Sequence, residues 1–140
     1  MHFQKTIQKF FKEAYEFFEC IIIWQKSHNI NKMETFDNVV ASFPTTHSFT
    51  YNGSQFSFNM SLFNCFTDYF TTHLNEVQQD NTIGLFEGPN EQNIHFSNES
   101  VNDFIQFCQC QKIQINNDNV VPINYLSKKY NVERLIECTS

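Results

Sequence analysis

The order of segments in residues 101–140 places the strongest constraint on how this chain folds. Apolar side chains recur at helical spacing over residues 101–108, alternate with polar ones over 112–115, and return at helical spacing over 120–130 and 131–138. Residues 116–119 read Asn-Asn-Asp-Asn, a polar stop that can cap a new helix. The segment therefore predicts helix, short strand, helix, turn and helix. Its residue choice favours packing over chemistry, which indicates a binding module.

A β-hairpin is predicted upstream, over residues 49–58. Phe49 and Tyr51 alternate with polar residues before an Asn-Gly step, and Phe56 and Phe58 alternate after it. A type I′ turn needs positive φ at both central residues, and Asn-Gly meets that need best. The pattern is typical of two short antiparallel strands.

The residues between the hairpin and residue 100 predict shorter elements. A helix is expected from Ser61, with apolar residues at helical spacing as far as Leu74. Residues 83–86 predict a strand, residues 88–90 a turn, and residues 94–96 an extended segment. Ser97 or Ser100 is expected to cap the helix that follows.

Length and charge narrow the class of protein. The chain has 140 residues, which suits one domain with an extra element, and its 17 phenylalanines supply a large apolar area. The net charge of −6 makes nucleic acid a poor partner, because an acidic chain repels the phosphate backbone. The one basic pair, Lys128 and Lys129, is interpreted as a solvated helix face.

The first 32 residues predict an amphipathic helix followed by a polar linker. Apolar side chains recur at steps of three and four over residues 3–24, and Phe10, Phe17 and Ile21 are candidate partner-binding residues within that stripe. We expect the stripe to pack on the domain or on a second copy, with self-pairing favoured. A rival interpretation is that translation begins at Met33. A second short helix, near Val39, is expected to end at Pro44.

Cellular location follows from the apolar runs and the cysteines. Acidic residues interrupt the first apolar run and no small-residue cleavage site follows it, so no secretory signal is predicted. The apolar run ending at Trp24 is too short to span a bilayer. Five cysteines without paired spacing suggest reduced thiols, and hence a cytoplasmic or nuclear protein.

No catalytic or cofactor-binding pattern is present in the sequence. The glycines do not form a phosphate-binding loop, no nucleophile elbow occurs, and no paired carboxylates suggest acid–base catalysis. Cys108 and Cys110, with Cys138 or a histidine, leave a small metal-binding protein or enzyme as the alternative hypothesis. Their one-residue gap is not the spacing of zinc knuckles, so buried apolar cysteines are the preferred interpretation and neither metal nor cofactor is expected.

Residues 48–138, about two thirds of the chain, resemble the BTB/POZ domain. The hairpin is similar to the opening strands of that family, residues 62–70 to its first core helices, and residues 83–86 to its third strand. Residues 104–115 resemble the helix and tail before the closing helices. Residues 119–138 resemble those closing helices, which end in Leu and Cys.

The resemblance implies an α+β fold in which a small β-sheet packs against a cluster of helices, here with an extra N-terminal amphipathic helix. It divides the chain into residues 1–32, the helix and linker, and residues 33–140, the BTB/POZ-like domain. It implies a non-catalytic protein–protein interaction module that forms a homodimer or serves as an adaptor to a cullin ubiquitin ligase. A hydrophobic-x-Glu tripeptide aids cullin contact in some members, and Leu74 and Glu76 have that form. A further alternative is a truncated fragment of a longer BTB protein.

Overall fold

The computed structural model of the chain describes Val40 and residues 42–140. The chain divides into two units, Met1–Pro44 and Thr45–Ser140, and the elements below belong to the second. The predicted N-terminal helix with Phe10, Phe17 and Ile21, the linker and the domain boundary at residue 33 lie outside the described residues. Most of the short helix predicted before Pro44 lies outside them as well.

The predicted hairpin is confirmed. Strands β1 (His47–Tyr51) and β2 (Ser54–Phe58) are antiparallel, with Phe49 opposite Phe56. Asn52 and Gly53 between them have φ of 53° and 78°, the two positive values that a type I′ turn requires.

A third strand completes a three-stranded sheet. Strand β3 (Thr82–Gly84) pairs in parallel with β1 on the side away from β2, so the order is β2-β1-β3. It is shorter than predicted: the amide of Leu85 still donates to the carbonyl oxygen of Thr50 (2.9 Å), but Phe86, at a φ of 61°, turns the chain away from the strand direction. Residues 94–96 add no strand.

The helical region predicted after the hairpin consists of separate short pieces. Helix α1 (Met60–Phe63) and helix α2 (Tyr69–Thr72) are separated by residues 64–68, and a 3-10 turn (Leu74–Glu76) follows α2. Thr67 explains the break: its hydroxyl donates to the carbonyl oxygen of Tyr130 (2.6 Å) and accepts from the amide of Tyr69 (3.1 Å). A threonine side chain that bonds to the main chain in this way competes with a continuous helix.

Three longer helices close the fold, in the order the sequence predicted: α3 (Asn98–Phe107), α4 (Val120–Lys129) and α5 (Glu133–Thr139). Ser97 caps α3 by accepting from the amide of Ser100 (3.1 Å). Asn131 ends α4 in the left-handed conformation, and Val132 donates its amide to the carbonyl oxygen of Ser127 (2.8 Å). This is a Schellman ending with Asn in the position where Gly is commonest.

Of the two predictions for residues 112–119, the strand is wrong and the polar cap is confirmed. Residues 112–115 do not form a strand. Their side chains do alternate, with Ile113 and Ile115 half-buried against the core, but no strand within Val40 and residues 42–140 pairs with them. Asn119 stands at the start of α4 without a side-chain bond that caps it, because its side-chain oxygen accepts from the amide of Asn116 (2.8 Å). The predicted cap is supplied by Asn116, whose side-chain oxygen accepts from the amides of Asp118 (2.9 Å) and Asn119 (3.1 Å) in the turn that leads into α4.

Aromatic rings form the centre of the core between sheet and helices. Phe49 stacks on Phe58 at a centroid distance of 4.8 Å and lies 5.4 Å from Tyr130. Phe63, which is fully buried, lies 5.5 Å from Phe70 and 6.1 Å from Phe104. Offset and edge-to-face packing at these distances adds to the stabilisation from burial alone. The described residues thus form a small α+β fold, as predicted at that level.

Candidate interaction surface

The exposed turn after α2 carries the predicted partner-binding residues Leu74 and Glu76. Leu74 is 70% exposed, and Val121 is the other strongly exposed large apolar side chain among the described residues, at 66%. A leucine with this exposure gains little from folding, because its apolar area stays in water. Its position on a structured turn makes it available to a partner.

Residues on both sides hold this turn in place. The His73 ring stacks on Tyr69 at a centroid distance of 4.0 Å, and its Nδ1 lies 2.8 Å from the carbonyl oxygen of Tyr69. The amide of Glu76 donates to His73 (3.1 Å), and the amide of Val77 donates to Leu74 (3.2 Å). Val77 packs against the core, so the chain is anchored directly after the turn. Leu74 therefore projects from a fixed backbone.

The Glu76 carboxylate points back toward the domain, unlike Leu74. Its Oε2 is buried without a hydrogen-bond partner. Burial, and then the neighbouring Glu76 carboxylate, raise the pKa of Tyr69 well above its usual value. Such a carboxylate oxygen retains unused acceptor capacity.

A second polar cluster, which the sequence did not indicate, joins the loop after β3 to α4. Lys129 Nζ lies 2.6 Å from Oε1 and 2.8 Å from Oε2 of Glu91, and Tyr125 donates its hydroxyl to Oε2 (2.7 Å). Lys129 also lies over the rings of Phe86 (5.4 Å) and Tyr130 (5.6 Å). The prediction that both lysines form a solvated face is thus wrong for Lys129, which is paired and half-buried, and right for exposed Lys128.

The electrostatics of this cluster keep Glu91 ionised and Tyr125 protonated at neutral pH. Burial alone would raise the pKa of Glu91, but hydrogen bonds from Lys129 and Tyr125 outweigh it and lower the pKa. Burial, followed by the bond to Glu91, raises the pKa of Tyr125 to about 12. General acid–base catalysts work best with a pKa near the operating pH. These shifts move both groups away from it.

Two thiols in the described region, those of Cys65 and Cys108, are also unsuited to nucleophilic attack. Burial, then the neighbouring Cys110, raises the pKa of Cys65 to about 12 and raises that of fully buried Cys108. The thiolate is the nucleophile and the metal ligand, so both thiols are inert at neutral pH. Over Val40 and residues 42–140, no three His, Cys, Asp or Glu side chains converge to hold a metal ion.

Comparison with models of known protein families finds no match for this chain, and comparison with curated protein sequences finds none either. In the described part of the chain, no helix is both long and apolar enough to cross a membrane. Of the predicted site residues, Leu74 and Glu76 share one turn, with the leucine outward and the carboxylate inward.

Proposed function

We propose that this chain is a non-catalytic protein–protein interaction module of the BTB/POZ type, which binds a protein partner through the turn that carries Leu74. The observation that carries the proposal is the 70% exposure of Leu74 on a turn fixed by His73 and Val77. An exposed leucine on a fixed backbone can be buried by a partner, and full burial of such a side chain contributes about 1.5–3 kcal/mol.

The order of elements supports the BTB/POZ assignment. A hairpin is followed by two short helices, a third strand, a longer helix and a closing helix pair. The resemblance implies the same order of elements: opening strands, first core helices, a third strand, a helix and the closing helices. The third strand returns in parallel to β1 after the two helices, which gives a mixed sheet packed against helices.

The partner class that follows from this proposal is a cullin scaffold. Leu74 and Glu76 then have different roles in the complex. Leu74 enters an apolar pocket of the partner, and Glu76, whose Oε2 is buried, supports the turn from within this chain. In this arrangement the chain acts as an adaptor.

Titration of the full chain with purified cullin N-terminal regions tests this role. Replacing Leu74 with Ala is expected to weaken binding by about tenfold or more, which corresponds to removing one apolar anchor. Val121→Ala is the matched control, since Val121 is 66% exposed on α4, and it should leave binding unchanged. The free energy of unfolding of each variant should lie within about 0.5 kcal/mol of that of the parent.

Two outcomes count against the proposal. If no cullin binds the parent protein, the adaptor role is wrong. If binding occurs and Leu74→Ala leaves it intact while Val121→Ala removes it, the surface has been assigned to the wrong element.

A further inference from the structure

The outer edge of β2 has main-chain groups that point away from the sheet. The amide of Ser48 donates to Asn81 (3.0 Å), and Thr50 accepts from the amide of Leu85 (2.9 Å), so these two residues of β1 face β3. Their antiparallel partners are Ser57 and Gln55. Because Ser48 and Thr50 bond to β3, each forms a non-hydrogen-bonded pair with its partner in β2. The two residues of a non-hydrogen-bonded pair direct their N–H and C=O groups away from each other. The main-chain groups of Gln55 and Ser57 therefore face outward from β2.

Between Gln55 and Ser57, this edge lacks the features that usually prevent strand pairing. Strand β2 reads Ser-Gln-Phe-Ser-Phe and has no charge, no proline and no bulge. The side chains of Gln55 and Ser57 are both exposed on the solvent face of the sheet. Natural edge strands are normally protected by lysine, proline or a bulge, because an open edge is a template for another strand.

We propose that β2 pairs antiparallel with β2 of a second copy, with the twofold axis at Phe56, so that two sheets join into one of six strands. The inference rests on the proposed interaction function and assigns to it a second surface, separate from the Leu74 turn. In this register Gln55 faces Ser57 of the other copy, and Ser57 faces its Gln55. Each pair exchanges two main-chain hydrogen bonds.

The neighbouring registers are poorer. An axis at Gln55 would pair Ser57 with Gly53 of the other copy, which lies in the turn at a φ of 78° and is not extended. An axis at Ser57 would pair Gln55 with Asn59, whose amide and carbonyl are already bonded to the Gln109 side chain at 2.7 and 3.0 Å. Only the axis at Phe56 uses both outward-facing residues of both copies.

Charge favours a second copy over a charged peptide as the occupant of this edge. Strand β2 has no charged side chain that would attract a basic or acidic segment, and none that would repel its own copy. A twofold interface places the same residues on both sides, and the Gln55–Ser57 pairing is self-complementary in this way. The opposing term is the net charge of −6 on each chain, which acts at longer range and is screened by salt.

Sedimentation velocity of the full chain over a concentration series, with paired charge variants, tests the register. Gln55→Lys with Ser57→Lys places like charges opposite each other and should raise the dimer dissociation constant about tenfold. Gln55→Lys with Ser57→Glu places each lysine opposite a glutamate of the other copy and should keep or tighten the dimer. Both variants change the same two exposed positions, so one is the control for the other.

Salt dependence provides a second measurement on the same samples. Raising the salt should tighten the parent dimer, because screening removes the repulsion between two acidic chains. The Lys/Glu variant should lose part of its advantage as its attractive pairs are screened.

A parent protein that stays monomeric at millimolar concentration and physiological salt overturns the inference. So does a dimer that responds equally to the Lys/Lys and Lys/Glu variants, because that dimer uses another surface or register. A complex with an extended peptide from another protein at β2, in place of the dimer, also overturns it. Failure here is distinct from failure of the proposed function, since a monomeric Lys/Lys variant should still bind its partner through Leu74.

Discussion

Adjacent residues with the same side chain take different roles in this fold, and Lys128 and Lys129 illustrate why. Both occupy the last turn of α4, where positive charge is favourable, but only Lys129 faces the loop that carries Glu91. Its side chain is 16% exposed and that of Glu91 is 15% exposed, so this salt bridge is intermediate between an exposed and a fully buried one. The pair fastens a loop without regular structure to α4.

Glu91→Gln or Lys129→Met should each destabilise the domain by about 1–2 kcal/mol, more than a surface pair contributes and less than a buried one. The double variant should lose less than the sum of the two, because neither charge is then left without its partner. Lys128→Met is the matched control and should change stability by less than about 0.5 kcal/mol. Denaturant unfolding of the parent and the four variants at pH 7 measures these differences.

The same pair predicts a pH dependence. The pKa of Glu91 is lowered on folding from 4.5, so its contribution is fully present above that value and is lost as the pH falls through the lower folded pKa. The stability difference between the parent and Glu91→Gln should therefore shrink on acidification from pH 5. A difference that grows instead would mean that the carboxylate is destabilising in the folded state.

At the scale of elements, the features that could be predicted from the sequence are those that depend on interactions between residues close together in the chain. Asn52 and Gly53 specify their turn through their own backbone preferences, and Ser97 and Asn131 bound helices in the same local way. Residues 112–115 show the limit: alternation predicted which side chains turn inward, but strand pairing needs a neighbour that no local pattern supplies. Thr67 breaks a helix through a bond to a residue 63 positions away.

The hairpin turn gives a test of this local control. Gly53→Ala should destabilise the domain by about 1–2 kcal/mol, because an L-residue with a Cβ is strained at a φ of 78°. No heavy atom lies within 4 Å of where that Cβ would stand, so the loss is conformational and not a clash. Gly53→Asn is the control, since Asn tolerates this conformation, and thermal unfolding should rank it between the parent and Ala. Equal stability of Ala and the parent would show that the turn changes type.

At the scale of the whole molecule, the candidate site was only partly predictable. Leu74 and Glu76 were found through a resemblance that spans residues 48–138. The Glu91–Lys129 pair joins positions 38 apart, and the edge of β2, which no other described strand pairs with, follows from its sheet position. Neither leaves a pattern in the sequence, because each depends on which elements become neighbours. Association surfaces of this kind become visible only once the topology is known.

The final prediction concerns residues 1–32, which bear on how copies of the chain associate. The predicted stripe over residues 3–24 would, if left in water, form an apolar patch of the size that drives association, since burying each large side chain contributes about 1.5–3 kcal/mol. Peptide mapping of the native N-terminus first establishes whether translation begins at Met1 or Met33. If it begins at Met1, deleting residues 1–32 should weaken oligomerisation in light scattering and leave the circular dichroism of the domain unchanged.

Phe17→Gln in the full chain should reproduce part of that effect, and Lys12→Gln, outside the stripe, should not. If pairing through β2 contributes independently, the deletion and the Gln55→Lys, Ser57→Lys variant should weaken association additively in free energy. Loss of the folded domain on deletion would contradict self-pairing, because it would show that the N-terminal residues form part of the domain core.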